Sequence, residues 1–160
     1  MSVHLTVIDW HRDLINRLVD EFPDGWALSA SSPSLRLLLP LCPGDVRVGS
    51  WVKSFAIFKP GVNPAYAWEP VIWRGGRKRD RFEDKQRDWV DVPVKINNTG
   101  VVGTKPRQFC RWIFALLNLR RGDDLVDMFP GSGAVMAAWA EWVQDDTLFK
   151  PLPLFANVMR

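Results

Sequence analysis

Residues 125–135 read LVDMFPGSGAV: a short apolar run, an acid, an aromatic, then glycines on either side of a serine. A strand passing through F-P-G-S-G into a helix predicts a ligand-binding turn. Glycines adopt positive φ and let the backbone approach a bound molecule, and the helix start behind them offers unpaired N–H groups. With no ligand, the same residues make a tight strand-to-helix turn. The position of the run constrains the fold further. Only AVMAAWAEWV, a predicted helix, and the Pro-containing tail QDDTLFKPLPLFANVMR follow it, so the rest of any sheet must be built beforehand. Two nucleotide-binding readings are weakened. No G-K-[ST] is present for a P-loop, and the dinucleotide fingerprint needs a third glycine where Met136 stands.

The 160 residues are expected to form one domain, 1–160, long enough to bury roughly 70% of the surface that the unfolded chain exposes. Cys42 and Cys110 lack a C-x-x-C partner and the histidines number two, so no metal site or disulfide framework is expected. A cytoplasmic setting fits that usage. Apolar stretches such as LRLLLPLC (35–42) are too short to cross a bilayer and carry Arg36, and the N-terminus lacks a signal-peptide pattern. The net charge of +3 is mild, but it is unevenly distributed. RGGRKRDRFEDKQR, 74–87, gathers seven of the 21 lysines and arginines and predicts a solvated basic loop at about 74–100.

Strand-like and helix-like segments alternate, which indicates an α/β fold. VHLTVI (3–8) predicts a short strand, with Asp9 capping a helix through Leu14, Ile15, Leu18 and Val19. GWALSA (25–30) predicts a buried strand, and Ser32 and Pro33 open a helix through Leu39. VRVGSWVKSF (46–55) and YAWEPVIWR (66–74) predict two more strands. Pro106 suits the first turn of a helix whose stripe is Phe109, Trp112, Ile113, Leu116 and Leu117. DLVDMF (124–129) predicts a fully buried strand, and Ser132 and Gly133 open the last helix.

Taken together, VGTKPRQFCRWIFALL and GDDLVDMFPGSGAV resemble the cofactor-binding half of S-adenosylmethionine-dependent DNA amino-group methyltransferases. In that family a K-P-x-x-[FL] helix precedes a D-x-F-x-G-S-G turn. The order is that of circularly permuted members, with the cofactor motif last, and the likeness to phage-type DNA adenine N6-methyltransferases covers roughly residues 10–143. The resemblance implies a Rossmann-like class I methyltransferase sheet, permuted and truncated at the N-terminus. It also implies phage origin and DNA modification. Thr104, Lys105 and Pro106 would lie beside the cofactor. Asp127, Phe129, Pro130, Gly131, Ser132 and Gly133 would form its pocket.

The family's catalytic tetrapeptide, [DNS]-P-P-[YFW], is missing, so no catalytic residue is assigned. NPAY (63–66) and Asp9-Trp10 are near misses, read as a turn and as a helix cap with a packing residue. VHLTVI could fill the slot of the missing catalytic strand. No clear strand and acid follow the cofactor helix to hold the ribose; Asp145 and Asp146 are the nearby acids. By resemblance the basic loop is the target-recognition insertion, so Arg74, Arg77, Lys78, Arg79 and Arg81 are expected to contact duplex DNA. Of the nine tryptophans, Trp26, Trp51, Trp112 and Trp139 are expected in the core, and Trp68, Trp73 and Trp89 beside nucleic acid. The expected function is that of a DNA adenine N6-methyltransferase homologue impaired or inactive as an isolated chain. The alternatives are a non-enzymatic DNA- or host-protein-binding remnant, or one chain of a split enzyme. Self-association, or a partner chain supplying a missing strand, is also expected.

Overall fold

The computed structural model describes residues 7–54, 60–94, 104–145 and 147–148. The chain is a mixed α/β structure. Among the described residues, four α-helices, α1 (Val7–Glu21), α2 (Leu35–Leu38), α3 (Arg107–Leu116) and α4 (Ala134–Gln144), accompany four strands, β1 (Gly25–Ser29), β2 (Arg47–Val52), β3 (Trp68–Gly75) and β4 (Trp89–Asp91). The sheet order is β1-β3-β2-β4. β3 is antiparallel to both β1 and β2, whereas β4 joins β2 in parallel.

Two apolar layers flank the sheet, and strand alternation sorts side chains between them. On one side α1 buries Leu14, Ile15 and Leu18, spaced to share a helix face, against Trp26, Leu38 and Ile72. On the other, Phe109, Cys110, Trp112 and Phe114 of α3 pack with Trp51, Val71 and the Trp139 and Trp142 faces of α4. The polar face of α3, with Arg107 and Gln108, is exposed. Phe114 lies edge-on to Trp139 and Trp142, with ring centroids 5.4 and 5.7 Å away.

The predicted strands at 25–30, 46–55 and 66–74 are present as β1, β2 and β3, and the two late helices as α3 and α4. Four details differ. Val7 and Ile8 belong to α1, so the helix starts before Asp9; Asp9 sits in its first turn, paired with Arg12 at 3.1 Å, and is not its cap. The remainder of the predicted strand 3–8 lies outside the described residues. DLVDMF is in no ladder, and Val126 and Phe129 are exposed, because no neighbouring strand pairs with it among the described residues. β4 falls within the predicted basic loop, too short for periodicity to reveal. Trp73 is buried (4% exposed) under the Arg47 guanidinium and unavailable to nucleic acid, whereas Trp68 and Trp89 are exposed.

Candidate functional site

A cleft of ≈ 440 Å³ lies between β1 and residues 124–129, within the range of small-molecule sites. Its walls are mostly apolar: Leu18 of α1, Trp26 of β1 and Phe109, Ile113 and Phe114 of α3. Lys105, Asp127 and Phe129 also line it, so residues of the G-T-K-P and F-P-G-S-G segments meet at one cavity.

Lys105 is held in place. Its ammonium donates to Ser29 Oγ (3.0 Å) and Glu69 Oε2 (2.8 Å), and it lies over the Trp51 and Phe109 rings at 4.8 and 5.2 Å. Lys53 pairs with the other oxygen of Glu69. Burial alone would raise the Glu69 carboxyl, but hydrogen bonds from Lys105 and Lys53 outweigh it and leave the group below its ordinary value of 4.5. Beside Lys105, Pro106 is fully buried and caps α3 from extended backbone, one position before the expected first turn. Thr104 is partly buried.

At the other end of the cleft, Asp127 Oδ1 accepts the Phe129 N–H at 3.1 Å, and Oδ2 is buried with no partner among the described residues. Gly131 and Gly133 have φ of +46° and +74°, so both occupy the left-handed region that a side chain disfavours. The space above them is open. A Cβ on Gly133 would meet nothing within 4 Å, and one on Gly131 only the Phe129 carbonyl at 3.7 Å. Gly133 also caps α4 without a side-chain hydrogen bond, and its own N–H donates to the Pro130 carbonyl at 2.6 Å. Pro130 and Ser132 are exposed.

Of the near misses, Trp10 approaches the turn, with its ring 6.3 Å from Phe129 and about half exposed. NPAY lies in irregular chain before β3, and its Tyr66 is exposed. Asp145 ends α4 and is held to about 2 by the Thr147 hydroxyl and Arg111, which places it in a helix-end ion pair. Asp146 lies outside the described residues. Burial pushes the Cys110 thiol up to about 11, so it is no nucleophile at neutral pH.

The basic loop folds back on the end of α3. Arg77 grips both oxygens of Asp123 at 2.9 and 2.8 Å, donates to the Asn118 carbonyl, and gives its backbone N–H to Leu117 O. Arg79 donates to the carbonyls of Ala115 and Asp84, and Arg74 pairs with Asp45 at 2.7 Å. Lys78 and Arg81 are exposed and form no ion pair among the described residues, while Arg81 lies over the Phe82 ring. Glu69 and Asp123 were missed by sequence reasoning. Glu69 had a signal, a carboxylate inside the apolar run YAWEPVIW; the Asp123 contact spans 46 positions and left none.

No group of His, Cys, Asp and Glu among the described residues could hold a metal ion, and no described helix is long and apolar enough to cross a membrane. No protein-family model matches the chain, and no curated protein or solved structure matches it.

Proposed function

We propose that this chain is a homologue of phage-type DNA adenine N6-methyltransferases that binds S-adenosylmethionine at the mouth of the β1 cleft and transfers little or no methyl group alone. One observation carries the reading: Lys105 and Asp127, from the two motif segments of the resemblance, line the same cavity. The residues present fit the group. Asp127 Oδ2 is a buried acceptor that would take an amine or hydroxyl, and the uncovered backbone of Gly131 and Gly133 leaves room for close approach. S-adenosylmethionine would supply an electrophilic methyl group there. Lys105, tied to Glu69 and Ser29, would keep the wall in place, and Phe129 would offer an exposed ring beside Trp10.

Weak methyl transfer follows from the missing tetrapeptide. Adenine N6 is a poor nucleophile, and orienting it accounts for about 7–11 kcal/mol of barrier lowering that a cofactor pocket does not replace. A second reading, a non-enzymatic DNA-binding protein, is favoured by the exposed Lys78 and Arg81 together with that absence. Calorimetric titration with S-adenosylmethionine, followed by labelled methyl transfer to unmethylated DNA, separates the two. The expected result is one site that weakens at least about tenfold in Gly131→Val, which opposes positive φ, and in Asp127→Ala, with at most trace transfer. A folded protein giving no heat at millimolar ligand would reduce F-P-G-S-G to a turn and leave the second reading.

A further inference from the structure

We propose that the basic loop latches the cleft: Arg77, by gripping Asp123, holds the far wall 124–129 in place, and its release opens the cleft. The wall has little else to hold it. It joins no ladder, and among the described residues no hydrogen bond runs from 124–129 to another element. Leu125 packs on the α3 side of the sheet and Met128 on the α1 side. Downstream the wall runs into the largely exposed F-P-G-S-G turn, where a change in φ and ψ is absorbed without disturbing a packed element. Upstream it begins at Asp123, the residue that the loop seizes.

The latch runs back to the sheet. β3 ends at Gly75, two residues before Arg77. Between them Gly76 packs on the end of α3: its N–H donates to Asp24 O at 2.7 Å, and a Cβ on it would lie 2.7 Å from the Leu117 carbonyl. The Arg77 N–H donates to that same carbonyl at 2.9 Å, which fixes the backbone from which its guanidinium reaches the Asn118 carbonyl and both oxygens of Asp123. Asp123 Oδ2 also accepts the Arg120 N–H at 2.7 Å, closing the turn 120–123 on itself. That bond ties Asp123 only to its sequence neighbours, whereas Arg77 ties it to β3. Asn118, 6% exposed, completes the joint by donating to the Arg77 carbonyl and to Glu83. The gripped stretch also faces the cleft, because Leu117, Leu119 and Asp124 line it. A bidentate guanidinium–carboxylate pair held from fixed backbone is stronger than an ordinary surface ion pair. Arg77, expected to contact duplex DNA, is in this arrangement a positioning residue of the wall that carries Asp127.

The latch needs no ligand, so the test omits S-adenosylmethionine and stands whether or not the glycine turn binds a cofactor. Cys110 lines the cleft and is 1% exposed, so an alkylating reagent reaches it only when the protein opens. Its reaction with iodoacetamide is followed in the full chain carrying Cys42→Ser, at one pH and over a urea series. Asp123→Asn keeps an acceptor for the Arg120 N–H and loses the charge, and Arg77→Gln loses the guanidinium. Each is expected to speed alkylation at least about fivefold, with the weak urea dependence of a local opening. The double variant is expected to react no faster than the singles, because both act through one contact. Arg77→Lys, which keeps the charge without the fork, is expected to fall between Arg77→Gln and the parent. Asp45→Asn removes the Arg74 pair from the same stretch and is expected to leave the rate unchanged. The proposal is overturned by unchanged rates in the single variants, by effects that multiply in the double variant, or by equal acceleration in Asp45→Asn. Acceleration that carries the full urea dependence of global unfolding overturns it as well, since the pair then supports the fold as a whole. Should one single variant fail to fold, the other makes the same comparison.

Discussion

Glu69 interrupts the most apolar strand of the sheet with a carboxylate, and two lysines from distant parts of the chain answer it. Both ammonium groups lie over the Trp51 ring, and Lys105 also over Phe109, so their attraction to Glu69 is screened less than at an open surface. Because the folded Glu69 carboxyl lies below 4.5, the pairing contributes its full stability above that pH and loses it as pH falls through the folded value. Thermal denaturation of Glu69→Gln between about pH 3 and pH 7 is expected to show a lower midpoint near neutrality and a shallower fall below about 4.5. Parallel curves for the two proteins would mean that the lysines are held by the rings alone. Lys105 was legible in the sequence, through the motif that contains it. Its orientation was not, because the Glu69 contact spans 36 positions and Ser29 spans 76.

Helices α3 and α4 were legible because their apolar residues recur at helical spacing and because each begins at a residue that interrupts the preceding chain, Pro106 or Gly133. The depth of α3 was not. The expected stripe is present, with Phe109, Trp112 and Leu117 buried and Ile113 and Leu116 partly buried, but Phe114 and Cys110, outside it, are the residues most completely enclosed. The apolar face of α3 is wider than that stripe, and which of its residues lie deepest is set by what packs on them, Trp139 and Trp142 of α4 in the case of Phe114. Phe114→Ala removes a ring seated against two indoles and is expected to cost about 3–5 kcal/mol, measurable by urea denaturation. A loss below about 1 kcal/mol would mean that α3 and α4 repack around the gap. DLVDMF was misread because a short apolar run is a strand only when a neighbour pairs with it. Hydropathy alone carries no information about the neighbour.

At the scale of the molecule, the basic loop divides into cations that hold the fold and cations that face solvent. Arg77 and Arg79 are bound to the end of α3, and Arg77 lowers the Asp123 carboxyl through its hydrogen bonds. Their sequence neighbours Lys78 and Arg81 project from that anchored chain. Composition could not separate the two kinds, because both occur within RKRDR. If the surface meets duplex DNA, replacing Lys78 and Arg81 together by alanine should reduce the slope of log affinity against log salt by about 2, at about 0.9 per phosphate contact. Fluorescence anisotropy over a salt series measures it. An unchanged slope would assign both charges to solvent.

The parallel pairing of β2 with β4 has a consequence in time. The β2–β3 ladder forms once the chain between those strands closes, whereas β4 reaches β2 only after the basic loop has been traversed as well. Three residues of pairing and the Trp51 Nε1 bond to the Val92 carbonyl, 2.7 Å long, are the return on that later closure. Such a strand closes later than the β2–β3 ladder beside it. The β1–β3 and β3–β2 ladders do not depend on β4, so amide exchange is expected to report the earliest opening at this border of the sheet.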